Sequence, residues 1–289
     1  MLLRMNRRTV LLTSAIAAGN LAACSWIDTR IRASMFRPDR RIPADFRGLA
    51  PSDQVFRLPS GSGPLAGAIT LWWLPHAHGN APGLLYLHGT FRNLYRNYPK
   101  ILAIREAGFS VLAVDYRGWG DSAPILPSEQ TIYEDAQVAW QELRRRLPIA
   151  NKCAIFGHSM GGGVATWLAK QVGSGPAGAS ALIIESSFTN LPDVAKAASI
   201  LGYPAALLSD QRFDSASRIA SVAMPLLVMH GSSDSTVPFE LGERLFAAAV
   251  APKEFVAFAQ GSHSELHSEN APLYQQTLRR WAASLASSN

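Results

Sequence analysis

From residue 53 onward, short runs of continuous apolar character alternate with longer stretches of helical periodicity. Two β-rich runs come first, Gln54 to Leu58 and Ala66 to Leu74, joined by Pro59-Ser60-Gly61-Ser62-Gly63-Pro64, a composition that suits a hairpin-type connection. Trp72 and Trp73 lie in the second run and are expected to pack within the sheet. Further strands are predicted at Gly83–Leu87, Phe109–Val114, Lys152–Phe156, Ala181–Ile184, Leu226–Met229 and Glu254–Phe258. Between them the spacing predicts helices over about Asn97–Ala107, Ser128–Arg146, Met160–Gln171 and Phe239–Val250, with a last one over Pro272–Ala286. Ser128 is placed as an N-cap, where its hydroxyl accepts a first-turn N–H.

Strands that are apolar along their whole length are buried on both faces, and their alternation with helices implies an α/β fold with a mostly parallel sheet covered on both sides. Right-handed crossovers then bring the C-terminal ends of the strands to one edge, where the loops carry chemistry. No internal repeat or second domain is visible, so 51–289 is read as one domain.

Charge changes the picture only at the N-terminus. The chain has 289 residues, 48% of them hydrophobic and 17% charged, with a formal net charge of +6. Residues 1–23 contribute +3 through Arg4, Arg7 and Arg8, and residues 24–50 another +3 from six arginines against Asp28, Asp39 and Asp45. The remaining 51–289 carry 18 basic and 18 acidic residues and are neutral, which argues against a nucleic-acid surface on the domain. Arg4, Arg7 and Arg8, the apolar stretch from Val10 to Ala18 and the small residues Leu21-Ala22-Ala23 read as a signal peptide over 1–23. Leu21-Ala22-Ala23-Cys24 resembles the bacterial lipobox, which implies a lipidated Cys24 and a protein anchored to a membrane of the bacterial cell envelope on its extracytoplasmic side. Asn6-Arg7-Arg8-Thr9-Val10-Leu11 also resembles a twin-arginine export signal, and Ser25 resembles the residue that follows the cysteine in lipoproteins sent to an outer membrane. Residues 24–50 have no clean period and are read as a tether. The second cysteine, Cys153, falls inside an apolar run and is read as a buried small hydrophobe.

The strongest chemical signal is Gly157-His158-Ser159-Met160-Gly161, entered by a strand and left by a helix. A sharp strand–turn–helix bend presents Ser159 above the sheet, with glycines admitting the neighbouring chain and a helix N-terminus beneath it. A serine nucleophile needs a base, and the base an orienting acid. Asp234 follows the strand ending at Met229, and His263 follows the one ending at Phe258, so both fall in loops at the same sheet edge. Asp210 and Asp214 precede a strand instead, and His267 is the rival base. The oxyanion hole is assigned to the N–H groups of Met160 and of Thr90, in the loop after Leu84 to Leu87, with His88 supporting that loop. His76 and His78 lack a nearby carboxylate or thiol partner, so no metal site is read there. Arg92 and Arg96 are read as solvated, with a substrate carboxylate or phosphate as the alternative partner.

Five segments in order, His88-Gly89-Thr90, Asp115 to Ser122, Gly157 to Gly162, Glu185 to Thr189 and His230 to Asp234, make the chain similar to the α/β-hydrolase superfamily over about 53–286. The branch it most resembles holds serine-aminopeptidase-like hydrolases and membrane-associated depalmitoylating enzymes. That resemblance implies no cofactor, a structural role for Asp115 to Ser122, and a small lid within the roughly 40 residues between Ile184 and Leu226. One departure is Ser262, which separates Gly261 from His263 where family members commonly have Gly-His. The expected chemistry is hydrolysis of a carboxylic ester or thioester, on a small-molecule or acylated substrate, through an acyl-enzyme on Ser159. An aminopeptidase-like amide hydrolase and a non-catalytic envelope lipoprotein are the alternatives; no protein partner is readable.

Overall fold

The computed structural model describes residues 26, 28–147, 152–198 and 209–287. The expected signal peptide and Cys24 lie outside these residues. A helix over 28–36 (α1) precedes the hairpin β1 (Gln54–Ser60) and β2 (Gly67–Leu74). Then follow β3 (Gly83–Leu87), α2 (Leu94–Glu106), β4 (Ser110–Asp115), α3 (Glu129–Arg146), β5 (Cys153–His158), α4 (Met160–Val172) and β6 (Ala181–Glu185). After α5 (Leu191–Ala198) and α6 (Ser215–Ile219), the chain runs through β7 (Leu226–Gly231), α7 (Phe239–Ala248), β8 (Lys253–Phe258), α8 (Leu266–Glu269) and α9 (Ala271–Ser287).

The eight strands form one sheet in the order β1-β2-β4-β3-β5-β6-β7-β8. β2 is antiparallel to both β1 and β4, and every pairing from β4 to β8 is parallel. This is the α/β-hydrolase fold. Side chains alternate between two apolar layers. Leu85, Ile155 and Val228 face α3, α4 and α7, whereas Leu84, Phe156 and Leu227 face α2 and α9. Burial of both layers is why these strands read as unbroken apolar runs. Trp72 is almost fully buried, with Tyr95 and Tyr98 packed edge-on against it.

Helix ends follow local hydrogen bonding. Ser128 Oγ accepts the Thr131 N–H at 3.2 Å while Thr131 Oγ1 accepts the Ser128 N–H at 2.9 Å, a reciprocal cap contributing about 1 kcal/mol. α2 begins at Leu94, earlier than its spacing predicts, because Asn93 Oδ1 accepts the Arg96 N–H at 3.2 Å.

In the segment expected as a tether, residues 28–49 lie against the domain. Phe36 is 1% exposed, and Phe46 packs on Trp72, Tyr95 and Tyr98. The Asp39 carbonyl accepts from Gly120 N at 2.9 Å, Arg40 Nη1 donates to Ser122 O at 2.7 Å, and Asn93 Nδ2 donates to Arg41 O at 2.9 Å. Aromatic residues inserted one at a time between turns leave no period to read, which is why the segment read as a tether with at most one short helix. In the expected lid region, α5 is the described helix and residues 199–208 lie outside the described part.

Candidate active site

The bend between β5 and α4 is built on two close approaches. A Cβ on Gly161 would fall 2.1 Å from the Leu87 carbonyl oxygen, and one on Gly157 would fall 2.2 Å from the Gly161 carbonyl oxygen. With both positions free of side chains, Ser159 is held at φ 56° and ψ −124°, a strained conformation for a residue with a Cβ. Its backbone is pinned on both sides: Ser159 N donates to Glu185 O at 2.9 Å, and Ser187 Oγ donates to Ser159 O at 2.7 Å.

The structure brings the three residues named from the sequence together. His263 Nε2 lies 3.0 Å from Ser159 Oγ, and His263 Nδ1 lies 2.7 Å from Asp234 Oδ2. Asp234 is buried, and its other oxygen accepts the N–H groups of Thr236 and Val237, both at 2.8 Å. His230 Nε2 stands 3.3 Å from Asp234 Oδ2. Burial alone would raise the Asp234 pKa, but hydrogen bonds from His230 and His263, the His263 charge and the Val237 N–H outweigh it and hold the carboxyl well below its usual range. Asp234 therefore stays an anion facing the histidine. The rival base His267 packs on Tyr274, 3.9 Å from Glu265 Oε2. Asp214 caps α6 through the Ser217 N–H, and Asp210 is exposed.

Thr90 and Met160 border the same cavity as Ser159. Met160 opens α4, where first-turn N–H groups have no partner inside the helix. The Thr90 carbonyl is held by Trp119 Nε1 at 2.5 Å. His88, fully buried, contacts the Gly89 carbonyl at 2.6 Å through Nδ1 and lies 3.3 Å from Asp115 Oδ1 through Nε2. The turn after β4 is bonded within itself and to α3: Ser122 Oγ donates to Asp115 O at 2.6 Å, and Arg117 Nε donates to Asp135 Oδ1 at 2.7 Å.

A polar layer that sequence reasoning missed lies directly behind these groups. His158 Nε2 sits 3.0 Å from the His263 carbonyl and 3.9 Å from Glu185 Oε1. Burial, reinforced by the Lys100 and His263 charges, holds its pKa well below the ordinary value, so the ring is neutral. Glu185 also pairs with the buried Lys100 and accepts from Tyr274 OH at 3.0 Å. His158 occupies a variable position of the Ser159 motif, and nothing in the spacing marks it. Of the remaining candidates, Arg92 pairs with Glu265 at 2.7 Å within the cleft beside Ser159, and Arg96 approaches Asp39 at 3.5 Å. His76 Nδ1 accepts the His78 N–H at 3.1 Å. Cys153 is buried, with Arg144 Nη1 2.9 Å from its sulfur.

Two spaces meet at Ser159. A polar cleft of about 380 Å³ is lined by His158, His263, Arg92, Asn97 and Glu265 among others. An apolar cavity of about 140 Å³ lies on the other side, against Met160, Phe188, Phe213 and Val237.

The serine aminopeptidase, S33, family matches residues 83–212. An uncharacterised protein of Mycobacterium tuberculosis is 35% identical over 217 residues, covering 74% of this chain and 75% of that protein. The lysophosphatidylserine lipase ABHD12 of Danio rerio is 32% identical over 196 residues, which is 63% of this chain and 51% of the lipase. Among solved structures, an esterase of Pyrococcus furiosus has a TM-score of 0.69 at 16% identity, covering 86% of this chain and 98% of that one. An alpha-beta hydrolase of Vibrio vulnificus has a TM-score of 0.67 at 21% identity, over 85% of this chain and 91% of that one.

Proposed function

We propose, from the premise that the chain belongs to the α/β-hydrolase superfamily, that it hydrolyses carboxylic esters or thioesters through an acyl-enzyme on Ser159. The observation that carries this reading is the hydrogen-bonded line from Ser159 Oγ through His263 to Asp234, with distances of 3.0 and 2.7 Å. In the proposed mechanism His263 Nε2 takes the hydroxyl proton as Oγ attacks the carbonyl carbon. The oxyanion is received by the N–H groups of Thr90 and Met160, each donor contributing about 3 kcal/mol. Asp234 stabilises the imidazolium, which then protonates the leaving group, and water cleaves the acyl-enzyme by the same route reversed.

An aminopeptidase would need a carboxylate to receive a free ammonium group. Among the described residues lining the two spaces beside Ser159, Glu265 is the one carboxylate, and Arg92 pairs with it. An ester or thioester is therefore favoured over a peptide N-terminus. The lipase activity named for the Danio rerio relative supports ester hydrolysis, and the lipobox-like Leu21 to Cys24 supports an enzyme lipid-anchored in the bacterial cell envelope.

Labelling with a small fluorophosphonate tests the chemistry: the full chain is expected to react, and Ser159→Ala is not. Equal labelling of the two, or none of the folded protein, would return the reading to a non-catalytic lipoprotein. For the anchor, Cys24→Ser is expected to move the protein from membrane to soluble fractions, and unchanged partitioning refutes it.

A further inference from the structure

The two spaces that meet at Ser159 differ in kind, and their linings assign them. Thr90 borders both spaces and Met160 the apolar cavity, where Phe188, Phe213 and Val237 offer an apolar lining that suits the acyl chain of an ester attacked by Ser159. The leaving group then faces the polar cleft of Asn97, Ser262 and Glu265.

One wall of the apolar cavity comes from outside the sheet domain. Met35 and Phe36 line it together with Phe188 and Phe213. Phe36 meets the rings of Trp119 and Phe213 edge-on, with centroids 6.2 and 6.1 Å away. Trp119 in turn holds the Thr90 carbonyl, so Phe36 packs against the residue that fixes the oxyanion loop. The chain around Phe36 is fastened at both ends. Arg32 Nη1 donates to Pro127 O at 3.3 Å, and the Asp39 carbonyl accepts from Gly120 N at 2.9 Å. Between them Arg37 adopts φ 39° and donates from Nε to Ser34 O at 2.8 Å, which turns the strap back over the cavity. Capacity follows from volume. An apolar cavity of about 150 Å³ holds a molecule of about six carbons, and this one is about 140 Å³.

We propose that the strap preceding the sheet sets the acyl specificity of the enzyme: Met35 and Phe36 wall a pocket beside Ser159 that admits acyl chains of up to about six carbons. The proposal rests on the ester-hydrolase reading given above and goes beyond it by naming the acyl class and the residues that select it. An acyl chain longer than the pocket meets its aromatic wall, so the pocket favours a short to medium linear acyl group over a fatty acyl chain.

The test is kcat/KM of the full chain on p-nitrophenyl esters from acetyl to dodecanoyl. For the unaltered protein it is expected to rise about fourfold with each methylene buried and to fall beyond about six carbons. Phe36→Ala is expected to move the maximum to longer chains, and Met35→Trp, at a half-buried position, to move it to shorter ones. Labelling by a small fluorophosphonate establishes that each variant is folded and competent. Labelled variants that both keep the original maximum overturn the proposal while leaving the hydrolase reading intact. An unaltered protein that is neither labelled nor active on any ester overturns both. Should Phe36→Ala fail to fold, Met35→Trp decides alone, a shorter maximum supporting the strap as a wall and an unmoved one refuting it.

Discussion

Replacing His158 by phenylalanine keeps a ring of similar size behind the site and removes one hydrogen-bond donor. In the native protein the neutral ring faces the His263 carbonyl through Nε2 at 3.0 Å, so the proton sits on that nitrogen and fixes the loop carrying His263. A net hydrogen bond contributes about 1 kcal/mol, and leaving a partly buried carbonyl unpaired adds to the loss, for a total of about 1–2 kcal/mol. If that energy is spent on holding His263 in line with Ser159, kcat/KM on an ester falls about five- to thirtyfold. His158→Gln places an amide donor near the same point and is expected to recover most of the rate. Stability supplies a second, independent readout. A histidine whose folded pKa is depressed contributes stability in full above its unfolded value of about 6.5, and loses it as pH falls, by up to about 1.4 kcal/mol per pH unit. The stability gap between the native protein and His158→Phe should therefore narrow below about pH 6.5. A phenylalanine variant within twofold of native kcat/KM, or a glutamine variant no better than it, would refute the positioning role.

Asp234→Asn is expected to keep the fold and lower kcat by roughly 10⁴-fold, because His263 loses the acceptor that selects its tautomer; a loss under tenfold would contradict the role. Because the Asp234 pKa is lowered on folding, its contribution to stability is complete above about pH 4 and disappears at lower pH, so the same variant should flatten acid unfolding followed by circular dichroism. Gly161→Ala would place a Cβ 2.1 Å from the Leu87 carbonyl oxygen, a backbone atom that cannot yield alone, and should cost about 1–3 kcal/mol in denaturant unfolding. Lys100→Met leaves the Glu185 carboxylate buried without its cation and should cost about 3–5 kcal/mol, largely restored by adding Glu185→Leu; a single variant as stable as the native protein would refute the pairing.

What the sequence made legible was whatever is repeated or concentrated. The central strands could be read because both of their faces are buried, and Ser159 because glycines recur around it at positions where a Cβ meets backbone. Asp234 and His263 could be named because each follows an apolar run by a few residues. The strap escaped notice since Phe36 is buried and Phe46 half-buried by separate aromatic neighbours, which leaves no period. α2 escaped by one turn at its start, where Asn93 rather than the helical spacing decides the boundary. His158 and Lys100 were silent for another reason. Each acts through a partner distant in sequence, 105 residues away for His158 and 85 for Lys100, and nothing local records such a pairing.

His158 and Glu185, the partner of Lys100, share one position in the architecture. Each of the five consecutive parallel strands ends in a buried ionisable group or is followed directly by one: His88 after β3, Asp115 closing β4, His158 closing β5, Glu185 closing β6 and His230 near the end of β7. The apolar core thus stops at a polar layer one residue deep, and the loops bearing Thr90, Ser159, Asp234 and His263 rest on it. Flexible loops alone would let the base and nucleophile drift from a separation of 3.0 Å. A hydrogen bond made in this low-dielectric layer is stronger than one in water, and an unmade one is costly, so the layer restrains each loop more tightly than apolar packing would. His88 holds the Thr90 loop at Gly89, Glu185 receives the Lys100 charge beside the Ser159 bend, His158 holds the His263 loop, and His230 stands against Asp234. The precision of the site accordingly resides less in the motif that announces it than in the strand ends beneath, where substitution should lower the rate without touching a reacting atom.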